Sequence, residues 1–194
     1  MPLTSLRALY VEELRDLYSA EAQLLKALPR LAKGAAAPEL RTALQRHALV
    51  TEQQAERLGL IFSGMDEKPG GKKCKAMAGL IAEAKDVLAT EAHPAVLDLA
   101  LIGAVQRIEH YEIVGYEAVR TYAKRLGLKE ATALLAQTLE EEEEAEERLT
   151  LLSKAVILFE AEAARPEDVK PGRAVAKKKR AIAGRKKKRA AKAG

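Results

Sequence analysis

The chain has 194 residues, 48% apolar and only 4% aromatic, with one cysteine and no tryptophan, a length that suits one compact domain plus an appendage. The single Cys74 excludes an internal disulfide and points to a reducing, cytoplasmic setting, and neither a long apolar run nor a hydrophobic leader over Met1–Tyr18 supports a membrane span or a cleaved secretion signal. The net charge of +5 is unevenly divided: residues 165–194 hold 13 of the 33 basic and 2 of the 28 acidic residues, a local +11, which leaves 1–164 at −6.

Ala, Leu, Glu, Lys and Arg dominate, all strong helix formers, and the scarcity of β-branched and aromatic residues argues against a sheet. A first helix is predicted after Thr4 or Ser5, whose hydroxyls can accept first-turn amides, and it runs to Lys33. Pro29 should kink or tighten its last turns, and Gly34 is placed to end it in a left-handed cap. A second helix opens at Pro38 and runs to about Phe62, with Gly64 as its stop. Asp66–Lys73 is a loop, followed by a shorter helix from Cys74 to about Thr90. A third long helix opens at His93-Pro94 and ends at Gly127, roughly 50 Å at about 1.5 Å per residue. The fourth runs from about Lys129 to Ala163, where Arg165-Pro166 closes it. Four long helices with a 63–93 segment between the second and third give an all-α four-helix bundle with a short extra helix in the crossover. That is the connectivity of ferritin-like folds. The bundle is assigned to 1–164.

The remainder, 165–194, is read as a basic tail. It lacks a sustained apolar face, and like-charge repulsion with no burial leaves nothing to offset the entropy of ordering, so it is expected to be disordered. Its two clusters are Lys177, Lys178, Lys179 and Arg180, then Arg185, Lys186, Lys187, Lys188 and Arg189. Their density suggests a polyanion partner, DNA or RNA, and a place on the nucleoid.

Each helical stripe of apolar residues is interrupted by groups able to hold a metal. The first reads Leu14, Leu17, Glu21, Leu24, Leu28; the second Leu40, Leu44, His47, Thr51, Gln54, Leu58. The third reads Leu101, Val105, Ile108, Glu109, Glu112, Tyr116; the fourth Leu135, Leu139, Glu142, Glu146, Leu149. A buried carboxylate is costly unless paired or bound to a cation. Acids on three helices and a histidine on the fourth are how a bundle core holds iron or manganese. Taken singly, Glu21 reads as the edge of an amphipathic face and His47 as a hydrogen-bonded core histidine. Most of the run Glu140–Glu147 reads as solvated surface. Glu142 fits the stripe best, with Glu141 and Glu146 as close competitors. Cys74, beside lysines, reads as a helix start before it reads as an activated thiol.

The strings LRDLYSAEAQLLKALPRLAK (14–33), HALVTEQQAERLGLIF (47–62), KKCKAMAGLIAEAKDVL (72–88), QRIEHYEIVGYEAVRTYAKRLG (106–127) and TLEEEEEAEERLTLL (138–152) resemble the YciF/YciE family of bacterial ferritin-like stress proteins. The resemblance spans about Leu6–Lys154. It implies a ferritin-like or rubrerythrin-like bundle, a homodimer, a stress-associated role and a di-metal centre whose reaction is not defined. Carried over, the ligands are Glu21, His47, Glu109, Glu112 and an acid of the Glu141–Glu142 pair, with Thr51 and Gln54 at the family's polar positions. One departure stands out: Val50 replaces a usual Glu three residues after the histidine. Glu52 faces about 200° away from it and is no substitute. One ion, two ions or a weakened site are therefore all open.

The leading expectation is a cytoplasmic, stress-associated protein that binds iron or manganese and carries a nucleic-acid-binding arm. Whether it turns over oxygen or peroxide is left open. Its rival is a non-enzymatic dimeric scaffold whose metal site has degenerated.

Overall fold

The computed structural model describes residues 3–169, and the expectations for the tail clusters from Lys177 to Arg189 fall outside them. Five helices longer than two turns make the body: α1 (Leu6–Gly34), α2 (Pro38–Gly64), α3 (Lys75–Val87), α4 (Pro94–Arg125) and α5 (Lys129–Leu152). A π-helical turn, Ser153–Ile157, then widens the chain path before a short α6 (Leu158–Glu162). The last long helix therefore runs on from Lys129 to Glu162, as the sequence predicts, with this π-turn as a bulge inside it. The wide turn delivers Ile157, fully buried, to the core.

Local chemistry sets the boundaries. Ser5 Oγ accepts the Ala8 amide at 3.1 Å and caps α1. The helix continues through Pro29 to Gly34. Gly34 is not left-handed, since only Gly71 and Gly127 have positive φ among the described glycines. Gly34 serves packing instead: a Cβ there would meet Leu88 Cδ2 at 2.4 Å, so glycine lets the end of α1 meet the end of α3. The left-handed cap falls at Gly127, φ 73°, where α4 turns into α5. The α1–α2 turn is fixed from outside. Asp98 of α4, buried, accepts the Ala36 amide at 2.9 Å and the Ala37 amide at 2.6 Å.

The core divides into two apolar clusters. One holds Leu24, Leu28, Leu31, Leu40, Leu44, Met77, Ile81, Leu101, Val105, Ile108 and Leu149. The other holds Tyr10, Leu14, Leu17, Leu58, Phe62, Tyr116, Val119, Leu135 and Leu139. Following each helix between them gives its direction. α1 and α5 run from the second cluster to the first, and α2 and α4 run from the first to the second. α2 and α4 are therefore parallel, and the crossover between them must carry the chain back along the bundle. α3 does this, packing on α1 and α4 within the first cluster. The fold is the all-α, ferritin-like bundle expected from the sequence.

Candidate metal centre

Between the two clusters lies a polar layer. On α1, Glu21 sits between Leu17 and Leu24; on α2, His47, Thr51 and Gln54 sit between Leu44 and Leu58. On α4, Glu109 and Glu112 sit between Ile108 and Tyr116; on α5, Glu142 follows Leu139. All these polar residues are buried. Glu109 and Glu112 share a face because they are three apart on one helix.

His47, Glu109, Glu112 and Glu142 each offer a ligand atom within 4.8 Å of the others. His47 Nε2 is 3.3 Å from Glu109 Oε2 and 3.9 Å from Glu142 Oε2. The shorter contact does not complete a hydrogen bond, and Nε2 is left without a partner. Glu21 stands beside this quartet rather than within it, and its Oε1 accepts a hydrogen bond from Tyr116. Among the described residues, eleven buried side-chain polar atoms lack a hydrogen-bond partner, and eight belong to Glu21, His47, Glu109, Glu112 and Glu142. Native interiors pair nearly all such atoms, so a concentration of orphans in one layer marks a place built for something else to bind.

The electrostatics agree. Burial pushes the Glu109 carboxyl well above the usual range, and the charge of Glu142 adds to this. Burial likewise raises Glu112, helped by Glu21, Glu142 and Glu109. Burial and Glu142 raise Glu21, against hydrogen bonding from Tyr116 and the charge of Arg57. Carboxylates crowded in a dry interior hold protons unless a cation replaces them. Oxygens from three carboxylates with one imidazole nitrogen form a donor set suited to iron or manganese, so the residues present fit such an ion.

The structure separates the three acids of α5 that the sequence left in competition. Glu142 faces the cluster. Glu141 is held by Arg57, whose two terminal nitrogens donate to its two oxygens at 2.6 Å each. Glu146 accepts from Gln106 at 3.0 Å and from Thr150 at 2.9 Å. Sequence reasoning passed over Arg57, a buried cation in the α2 stripe one residue before Leu58, which also donates to Thr138 at 2.9 Å. Its place within an apolar stripe was the available signal. Tyr116 was read only as core, and its hydroxyl anchors Glu21.

Cys74 caps α3, its sulfur accepting the Met77 amide at 3.3 Å. Burial raises its thiol pKa, with Asp16 adding to the effect. Its Sγ lies 3.0 Å from Tyr111 Oη, which donates to Asp16. Burial opposes the charge of Asp16, but hydrogen bonds from Cys74, Tyr111 and Lys72 hold its carboxyl below the usual range. This group fastens the crossover to α1, and the sulfur is not an activated thiol.

No helix of the described residues is long and apolar enough to cross a membrane. Comparison with known proteins agrees with the fold and the resemblance. Protein YciF of Escherichia coli (strain K12) is 39% identical over 154 residues, covering 79% of this chain and 93% of the relative. The crystal structure of that E. coli protein, described there as a stress protein, superposes with a TM-score of 0.76 at 38% identity, over 77% of this chain and 95% of the other. YcfI of Rhodopseudomonas palustris superposes with a TM-score of 0.75 at 35% identity, over 77% and 96%. A Xanthomonas campestris protein, 20% identical with a TM-score of 0.63 over 82% and 100%, shares the fold. The family described as a domain of unknown function, DUF892, matches residues 5–162, and the chain belongs to it.

Proposed function

We propose that the bundle binds iron or manganese, as one ion or two, through His47, Glu109, Glu112 and Glu142, with Glu21 beside them. The observation that carries this reading is the layer of orphaned buried oxygens, which a cation would satisfy. A bound ion of this kind supplies Lewis acidity and, if oxidisable, electrons for oxygen or peroxide. The chain's own contribution is separable. Glu109 and Glu112, which burial keeps protonated without a cation, would hold the ion as carboxylates. Tyr116 orients Glu21 by donating to one of its oxygens. Arg57 keeps Glu141 out of the cluster. The two apolar clusters exclude water above and below the layer. The test is elemental analysis of untagged protein after incubation with Fe(II) and with Mn(II). Bound metal that disappears in a Glu109→Ala, Glu112→Ala double variant is the expected result, and a metal-free wild type overturns the reading.

The stress-associated role and the homodimer implied by the family resemblance belong to the same proposal, and light scattering after size exclusion tests the dimer. The basic residues of 165–194 favour a second activity, DNA or RNA binding from a cytoplasmic, nucleoid-associated protein. It rests on their local +11.

A further inference from the structure

A pocket of about 280 Å³ opens between α2 and α5 and ends on the polar layer. Burial orders its lining from outside to inside. Arg46, Glu144 and Arg148 are exposed at the mouth. Leu44, Val50, Val105 and Leu149 make apolar walls. His47 and Glu109, both buried, form the floor, where the His47 Nε2 and both Glu109 oxygens lack a hydrogen-bond partner. A shaped, mainly apolar cavity with a few polar groups at its two ends is the usual form of a small-molecule site.

The charges at the mouth select the ligand. Neither Arg46 nor Arg148 makes an ion pair or hydrogen bond among the described residues. Glu141, also on the lining, is neutralised by Arg57. Two unpaired guanidinium groups therefore face one unpaired carboxylate, Glu144. Guanidinium groups favour planar oxyanions, which they can bind through paired hydrogen bonds. The chain's own basic segment, with its clusters at 177–180 and 185–189, has the wrong charge to fill the pocket.

We propose that this pocket binds a small monocarboxylate with a short apolar body. The carboxylate lies between Arg46 and Arg148, and the apolar body lies along Leu44, Val50, Val105 and Leu149, stopping short of His47 and Glu109. The proposal goes beyond the metal reading. Anchoring at the mouth needs no ion, whereas the metal reading concerns only the floor beyond the inner end of the ligand.

The experiment is a titration of the full chain with hexanoate, followed by calorimetry and by ligand-observed NMR, on metal-loaded and metal-free protein whose metal content has been measured. Hexylamine and hexanol serve as controls of equal apolar length. Hexanoate should bind in both metal states, more tightly than hexanol, with no binding of hexylamine. Arg46→Gln with Arg148→Gln should weaken it by about tenfold, as two solvent-facing charge contacts imply. Ala145→Phe, at the half-buried pocket wall, should block binding without touching the floor. Equal affinity for the amine, or no hexanoate binding in either metal state, overturns the proposal. So does binding that survives both the double arginine variant and the Phe substitution. Because metal content is read separately, hexanoate binding to metal-free protein upholds this inference even where the metal reading fails.

Discussion

Arg57 and Glu141 form a two-pronged ion pair, with both hydrogen bonds at 2.6 Å, and this pair sorts adjacent acids to opposite tasks. Successive helical residues point about 100° apart, so with Glu141 turned to Arg57 the next residue, Glu142, faces the cluster. Arg57→Ala should cost about 1–3 kcal/mol, because it leaves hydrogen-bonding groups of Glu141 and Thr138 unmatched. The figure lies below the roughly 3–5 kcal/mol of a fully buried pair, since the Glu141 side chain is 23% exposed. Urea unfolding measures it, and a loss under about 0.5 kcal/mol, the range of ordinary surface substitutions, would show that the pair is ornamental.

The cluster itself predicts a stoichiometry experiment. Wild type should bind Fe(II) or Mn(II), with one ion per chain as compatible with the residues as two. Val50→Glu should raise affinity or stoichiometry, because Val50 stands one helical turn from His47 and occupies the position where the family resemblance expects a carboxylate. Elemental analysis and competition with a chelator are the readouts. A restored variant that binds no more metal than wild type would mean that the added carboxylate does not reach the ion.

Much of this was legible in the sequence because burial and helical period act together. Glu21, His47, Glu109 and Glu112 each interrupt an apolar stripe, and a stripe has one interpretation in a bundle. The α5 acids were not legible to the same degree. In the run Glu140–Glu147, eight positions with seven glutamates and one alanine, periodicity alone leaves several inward candidates, and the choice depends on Arg57 reaching across from α2. Gly34 misled for a related reason. A glycine at a helix end signals a left-handed cap, but this one is needed for the approach of Leu88, a contact 54 residues away in sequence. The π-turn after Leu152 likewise carries no glycine or proline to announce it.

Metal-free protein should show an inverted pH dependence from this layer. Burial raises Glu21, Glu109 and Glu112 above their ordinary value of 4.5. The folded state therefore holds more protons than the unfolded state as pH rises above that value. Stability from these groups is present in full below it and is lost as pH climbs through their raised folded values. Melting temperature without metal should fall between about pH 5 and 8. Added Mn(II) should oppose the fall, because the cation takes the place of the protons and binds more tightly as they leave. Glu109→Gln with Glu112→Gln should flatten the metal-free slope. A melting temperature that rises across this range in metal-free wild type, and equally in the double variant, would contradict the assignment.

The basic segment calls for a different experiment. A solubilising tail, or one folded back on the acidic body, is the plain rival, since 1–164 carries −6. Against it, +11 exceeds what the body can neutralise and leaves an excess for an outside polyanion. The clusters Lys177–Arg180 and Arg185–Arg189 are separated by Ala181–Gly184, a short spacer of small residues around Ile182. No aromatic residue is interleaved, so base stacking should add little and sequence preference should be absent. Binding should then arise almost wholly from counterion release. If roughly 6–10 phosphates are neutralised, affinity should fall by about 10³–10⁵ between about 50 and 200 mM salt. Membrane surfaces are poorer partners, because the segment has no apolar face to insert. Fluorescence anisotropy of a short labelled duplex, titrated at several salt concentrations with the full chain and with a chain ending at Ala164, separates the cases. Loss of binding in the shortened chain, with a steep salt slope in the full one, is the expected pair of results. Equal affinities, or a flat salt response, would assign the charge to solubility or to the body of the bundle.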